Sequence, residues 1–134
     1  RMHAAKAWSL WEGRCATLRP SPQVVDRFSD ARRAYAIARI ECHYFVNHSF
    51  LAPDQLLQNM HRIEHIPGII VHGRYDMVCP LDNAYSLHHK WPGSELQIIR
   101  DAGHAASETG IADALVRASE TMSRQLLGLA PRVE

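Results

Sequence analysis

The sequence contains no long apolar run and no excess of charge of either sign. None of its hydrophobic stretches approaches the roughly 20 residues that cross a bilayer, and its polar first residues do not resemble a signal peptide. A formal net charge of +1 gives the chain no electrostatic field that would recruit nucleic acid or an anionic membrane. We therefore expect neither nucleic acid nor a membrane as a partner.

Cysteine is also scarce: the chain has three, Cys15, Cys42 and Cys79, and they are widely spaced. An odd number of distant cysteines favours free thiols in a reducing compartment over a disulfide framework. The predicted location is therefore the cytoplasm. What the chain does have is the composition of a folded globular domain, with 46% hydrophobic and 22% charged residues.

Helical patterns occupy the first part of the chain. Strong helix formers predict a helix over residues 4–12, and a loop that contains two prolines follows it. Ser29 or Asp30 can cap a longer helix that runs from Ala31 to about residue 47. Pro53 is placed to begin a further helix that reaches residue 60.

The pattern changes near residue 67. Residues 68–71 are apolar and β-branched, which is typical of a strand buried on both faces of a parallel sheet. A helix over about 81–91, a strand over 95–99 and an amphipathic helix over about 111–127 follow. This order predicts an α/β fold. Because two parallel strands do not form a stable sheet unaided, we expect further strands from a segment outside this chain.

Two polar residues come after the predicted strands. Asp76 follows the first strand and His104 follows the second, 28 residues later. An acid followed by a histidine is the order in α/β-hydrolases, where the carboxylate orients an imidazole that takes a proton from a serine. Taken alone, an aspartate at a strand end is as often a turn or cap residue. The sequence contains no Gly-x-Ser-x-Gly elbow, so the nucleophile is missing from this chain.

Longer blocks of the sequence resemble a known family. Residues 7–13 (AWSLWEG), 38–47 (ARIECHYFVN) and 66–81 (IPGIIVHGRYDMVCPL) are similar to consecutive blocks of the bacterial proline iminopeptidases, as is the Ala-Gly-His turn at 102–104. These enzymes are α/β-hydrolases whose core carries a helical cap. The resemblance covers nearly the whole chain and implies a C-terminal portion of that fold.

The resemblance also implies how the chain is divided. Residues 1–52 would be the C-terminal part of the helical cap. Residues 53–134 would be the C-terminal part of the hydrolase core, with its last two parallel strands and their flanking helices. The parent protein would be a serine-type prolyl aminopeptidase that releases N-terminal proline from peptides, with no metal or other cofactor. Without the serine-bearing segment, we expect this chain to be inactive on its own.

Particular residues take roles from the same resemblance. Asp76 and His104 would be the acid and the base of the catalytic triad. Glu12 and Glu41 would bind the cationic N-terminus of the substrate, although periodicity alone would make them exposed helix charges. Cys79 is judged from its position alone: it lies three residues after Asp76 and is expected to be a buried structural thiol, although its modification near the site could block activity.

Two other functions stay open at this point. The chain could be a non-catalytic fragment or interaction partner that associates with the missing N-terminal segment or with itself. Alternatively, His61, Glu64 and His65 match the His-x-x-Glu-His pattern of zinc metalloproteases. Pro67 and Gly68 would end the required helix at once, and nine histidines make a chance match easy.

Overall fold

Three helices form the first part of the structure, a computed structural model that describes residues 1–129. Helix α1 spans Met2–Cys15, α2 spans Pro22–Ser29 and α3 spans Ala31–Val46. The predicted helices over residues 4–12 and 31–47 are therefore present. We call this part the three-helix unit.

Small side chains fill the contacts between these helices. Glycine, alanine and serine let helices approach closely because their side chains are short or absent, and the buried positions of the three helices are Ala5, Ser9, Gly13, Ala34 and Ala38. Burying the Ser9 hydroxyl would be costly without a partner, and it donates a hydrogen bond to the Phe28 carbonyl oxygen at 2.8 Å. The interior of the unit is thus narrow, and larger side chains point away from it.

Helix α2 lies where the sequence predicts a loop, and that prediction is wrong. The Ser21 hydroxyl caps the helix by accepting a hydrogen bond from Val24 N at 3.4 Å. Pro22 takes the first helical position, where its missing N–H costs nothing. A serine followed by a proline is therefore a helix start here, and the proline is not a loop signal.

The segment between the helices and the sheet is mostly irregular. It is α-helical only over Gln55–Gln58 (α4), so the predicted helix over 53–60 is wrong in extent. Its late start follows from Asp54, whose φ of 55° is left-handed and cannot belong to a helix, and the helix ends at Gln58. A 3-10 turn, Met60–Arg62, follows.

The zinc motif falls in this segment, and its helix does not form. His61 lies in the 3-10 turn, while Glu64 and His65 lie in turns. In this motif the two histidines share a metal by projecting from one face of an α-helix. In residues 1–129, no group of three potential metal-binding side chains comes together.

The second part of the structure is a strand unit. Strands β1 (Gly68–Gly73) and β2 (Ser94–Ile99) pair in parallel, with Gly68 opposite Ser94 and Gly73 opposite Ile99. Helix α5 (Leu81–Lys90) connects them, and α5 and α6 (Thr109–Leu126) pack on the sheet. The predicted α/β class, with two parallel strands and flanking helices, is confirmed.

Much apolar surface of the chain remains uncovered. Most residues of β1 and β2 are only half-buried, and within residues 1–129 the sheet has no third strand. Several large hydrophobic side chains are exposed around the end of α3, among them Ile40, Phe45, Val46 and Phe50. Contiguous exposed apolar surface generally marks an interface. None of the helices within residues 1–129 combines the length and apolar character needed to cross a membrane.

Candidate active site

The candidate site lies at the ends of the two strands. Asp76 lies in the loop after β1 (residues 74–80, the Asp76 loop), and His104 lies in the segment after β2 (residues 100–108, the His104 turn). Carboxyl ends of parallel strands meet at one edge of a sheet, where α/β proteins generally bind ligands. The two loops are therefore neighbours although 28 residues separate their key side chains.

The imidazole and the carboxylate are directly hydrogen-bonded. His104 Nδ1 lies 2.9 Å from Asp76 Oδ2. Since a carboxylate can only accept, Nδ1 carries the proton in this bond and Nε2 is left to exchange a proton with another group. The Asp76 side chain is 5% exposed and that of His104 is 37% exposed. The acid is thus sheltered while the histidine can be reached from outside.

The orientation of Asp76 is fixed by its own loop. Its Oδ1 accepts hydrogen bonds from Val78 N at 2.9 Å and Cys79 N at 2.7 Å, which leaves Oδ2 facing His104. His72 supports the same loop, because its Nε2 lies 3.0 Å from the Cys79 carbonyl oxygen. Its Nε2 is also 3.7 Å from Asp76 Oδ2. Sequence reasoning gave His72 no role, although it stands in the motif that contains Asp76.

Close backbone packing holds the end of β1 against the His104 turn. A Cβ atom on Gly73 would lie 1.9 Å from the carbonyl oxygen of Gly103 and 2.8 Å from that of Ala102. No side chain fits at such distances, and the obstructing atoms are backbone atoms that can move only together with the turn. Glycine is therefore required for the two loops to meet.

We predict that Gly73→Ala lowers the free energy of unfolding by about 1–3 kcal/mol, because the turn must shift to admit a methyl group. The measurement is the urea midpoint, followed by circular dichroism, of the chain joined to the segment that supplies the remaining strands. Ser107→Ala, an exposed change in the His104 turn, is the control and should leave the midpoint unaltered. A Gly73→Ala midpoint equal to that of the unchanged protein would contradict the packing argument.

Two carboxylates from the three-helix unit approach this pair. Glu12 lies on α1 and Glu41 on α3. The pKa of Glu12 is raised above its ordinary value, chiefly by burial and then by the negative charge of Glu41 and a hydrogen bond shared with it. The nearby His104 acts in the opposite direction. The structure thus brings Glu12, Glu41 and His104 into one electrostatic neighbourhood.

Glu12 also has an unused hydrogen-bonding atom. Its Oε2 is buried and has no hydrogen-bond partner within residues 1–129. A buried carboxylate oxygen without a donor is unfavourable, and a cationic ligand group would relieve that cost. This unpaired oxygen is the strongest structural indication that a ligand group binds between α1 and the carboxyl ends of the strands.

Trp8 orients the second carboxylate. Its indole Nε1 donates a hydrogen bond to Glu41 Oε2 at 2.6 Å. Its ring lies 5.5 Å from that of Trp11 and 6.5 Å from that of Phe45, centre to centre. Sequence reasoning missed this residue, although Trp8 precedes Glu12 by four positions and so shares its helix face.

Cys79 is exposed, so the expectation of a buried thiol is wrong. Its pKa is nevertheless raised, first by partial desolvation and then by the negative charges of Asp76 and Glu12. A raised pKa lowers the fraction of reactive thiolate. Cys79 is therefore near the site but is not an activated nucleophile.

Comparison with known proteins gives a consistent result. The chain is 54% identical to a proline iminopeptidase of Xanthomonas citri over 121 residues, covering 90% of the chain and 39% of that protein. It is 51% identical over 126 residues to a probable proline iminopeptidase of Leptolyngbya boryana, covering 93% of the chain and 39% of the relative. A proline iminopeptidase of Arabidopsis thaliana is 48% identical over 126 residues, 93% of the chain and 33% of the relative.

These matches confirm the resemblance that the sequence blocks indicate. The chain spans about two fifths of the length of the Xanthomonas and Leptolyngbya relatives that it matches. No family model matches it.

Proposed function

We propose that this chain supplies the acid–base pair and the substrate anchor of a proline iminopeptidase whose serine comes from another segment of polypeptide. The observation that carries the proposal is the hydrogen bond between His104 Nδ1 and Asp76 Oδ2, formed beside Glu12 and Glu41. The similarity to proline iminopeptidases over nine tenths of the chain supports the same reaction.

In the proposed reaction, His104 Nε2 accepts the proton of the serine hydroxyl as its oxygen attacks the carbonyl carbon of the N-terminal proline. Asp76 keeps the imidazole in the required tautomer and stabilises the imidazolium that forms. The imidazolium then gives this proton to the leaving amine as the peptide bond breaks. Water, activated by the same histidine, hydrolyses the acyl-enzyme and releases proline.

Glu12 and Glu41 would hold the free N-terminus, and we call them the amine anchor. The nitrogen of an N-terminal proline is a cationic secondary amine, and a charge-assisted hydrogen bond to a carboxylate is roughly twice as strong as a neutral one. The unpartnered Oε2 of Glu12 offers the acceptor. An anchor at a fixed distance from the base would select the first peptide bond, which makes the hydrolase an aminopeptidase.

The division of the chain follows from the same proposal. Residues 1–52 would be the C-terminal part of a cap and residues 53–134 the C-terminal part of the core. The half-buried strands and the exposed apolar side chains would then pack against the remainder of the enzyme. The three free thiols are compatible with a cytoplasmic enzyme.

Association without catalysis is the second candidate. The exposed hydrophobic residues near the end of α3 favour it, because uncovered apolar surface promotes binding to another chain or to a second copy. In that case Asp76 and His104 would still be hydrogen-bonded but would catalyse no reaction.

The test is a chimera, in which this chain replaces the matching part of the Xanthomonas citri proline iminopeptidase. We predict that the chimera hydrolyses proline 4-nitroanilide and that the chain alone does not, because only the chimera has a nucleophile. Release of 4-nitroaniline is measured at 405 nm on the order of minutes to hours. A folded but inactive chimera would favour the non-catalytic candidate, and chelator-sensitive turnover by the chain alone would revive the zinc reaction.

A further inference from the structure

The geometry points to Glu108 as a positioning residue that sets the distance between His104 and the amine anchor. Nothing in the motifs of the sequence singles out this glutamate. The inference rests on the proposed function, since it concerns how the substrate is held relative to the base. The carboxylate of Glu108 hydrogen-bonds to Gly103 N and Leu18 N, and it acts through the backbone on both sides.

Both carboxylate oxygens of Glu108 accept backbone hydrogen bonds, and the two donors come from different parts of the fold. Oε1 accepts from Gly103 N at 2.7 Å, one residue before His104. Oε2 accepts from Leu18 N at 3.0 Å, in the loop that follows α1. A single side chain thus joins the His104 turn to the helix that carries Glu12.

Two further hydrogen bonds reinforce this junction. His104 N and Ala105 N both donate to the carbonyl oxygen of Ala16, at 3.0 Å and 2.7 Å. Gly103 is buried against the same loop, so that a Cβ atom there would lie 3.0 Å from Leu18 N. The residues that follow α1 and the His104 turn are therefore in direct contact. The Glu108 carboxylate accepts a hydrogen bond from each side of this contact.

Glu108 is anchored at the start of helix α6. Glu108 is the N-cap residue of α6, and its carbonyl oxygen accepts from Ala112 N at 2.9 Å. A negative charge at a helix N-terminus is stabilised by the helix dipole. The carboxylate is consequently held from α6, which packs on both strands. Glu108 thereby fixes the position of the three-helix unit relative to the sheet.

This junction matters because an aminopeptidase must hold the amine and the scissile carbonyl at one fixed separation. A displacement of about 1 Å between a binding group and a catalytic group can cost roughly 100-fold in rate. Without Glu108, the Gly103 and Leu18 N–H groups lose their acceptor, and α1 can shift relative to the turn. A substrate held by the amine anchor would then sit at the wrong distance from His104.

The experiment compares two substrates in the chimera and its Glu108→Ala and Glu108→Gln variants. Proline 4-nitroanilide needs the amine anchor, whereas 4-nitrophenyl acetate has no amine and needs only the serine, His104 and Asp76. We expect Glu108→Ala to lower kcat/KM for the anilide about 30- to 100-fold, with ester hydrolysis changed less than about threefold. Glu108→Gln, which keeps one acceptor oxygen, should fall between Glu108→Ala and the unchanged chimera.

The control is Glu64→Ala, which removes an exposed glutamate from a turn away from the site and should alter neither substrate. Equal losses on the two substrates in both Glu108 variants would overturn the inference, since they would mean that Glu108 only supports His104. Unchanged anilide turnover would overturn it as well. If the unsubstituted chimera hydrolyses the ester but not the anilide, the proposed function itself fails, and the role of Glu108 fails with it.

Discussion

His104→Ala in the chimera should lower kcat for proline 4-nitroanilide by roughly four orders of magnitude. Alanine removes the imidazole that we propose takes the serine proton. Within residues 1–129 the other imidazole near Asp76 Oδ2 is that of His72, whose Nε2 lies 3.7 Å away. His72 is turned to the Cys79 carbonyl oxygen, so it cannot replace the base without breaking the Asp76 loop.

Asp76→Asn should lower kcat for proline 4-nitroanilide by a similar factor, for a different reason. The amide nitrogen cannot accept from His104 Nδ1, so the imidazole loses the partner that fixes its tautomer and stabilises its charge. His65→Ala is the control, because it removes an exposed histidine from the former zinc motif and should leave turnover unchanged. Retention of a tenth or more of the activity by His104→Ala would exclude this histidine as the base.

The second large effect concerns the amine anchor. Glu12→Gln should reduce kcat/KM for proline 4-nitroanilide by roughly 10²- to 10³-fold, because losing one partner of a desolvated charge pair costs about 2–5 kcal/mol. Glu41→Gln should act in the same direction and also disturbs the hydrogen bond from Trp8. Hydrolysis of 4-nitrophenyl acetate, which carries no amine, should be nearly unaffected. Equal activity of Glu12→Gln and the unchanged chimera on the anilide would remove Glu12 from the anchor.

The raised pKa of Glu12 gives this prediction a pH dependence. Burial and the charge of Glu41 keep the Glu12 carboxyl protonated to a higher pH than an ordinary glutamate. A protonated carboxyl cannot pair with a cationic amine, so KM for the anilide should rise as the pH falls through the raised pKa. Glutamine does not titrate, and Glu12→Gln should therefore lose this rise in KM. A parallel rise in KM for both proteins would assign the titration to another group.

The pattern of apolar residues was enough to predict most elements of the fold. β-branched residues before Gly73 predicted β1, and the helical spacing of apolar residues predicted α6. The exceptions are local. Ser21 and Pro22 begin a helix where the prolines predict a loop, and the left-handed backbone of Asp54 delays the start of the helix that Pro53 is predicted to begin. In the first place a capping side chain determined where the helix begins, and in the second a single backbone dihedral angle did. The spacing of apolar residues contains no information on either.

The candidate site was predictable only in part. The order of Asp76 and His104 follows from chain order and strand ends, and Glu12 and Glu41 came from the family resemblance. Trp8, His72 and Glu108 were missed. Trp8 and Glu41 are 33 residues apart, and Leu18 and Glu108 are 90 apart. Hydrogen bonds between residues so far apart produce no periodic pattern in the sequence.

By itself, the sequence determined most of the helices, both strands, the acid-then-histidine order and the absence of a serine elbow, because each of these depends on residues that are neighbours along the chain. Tertiary structure decided the 2.9 Å contact between His104 and Asp76, the approach of Glu12 and Glu41, and the junction made by Glu108. The first depends on the parallel pairing of β1 and β2, and the other two depend on how the three-helix unit lies against the strand ends. Burial and backbone packing between distant segments fix that arrangement.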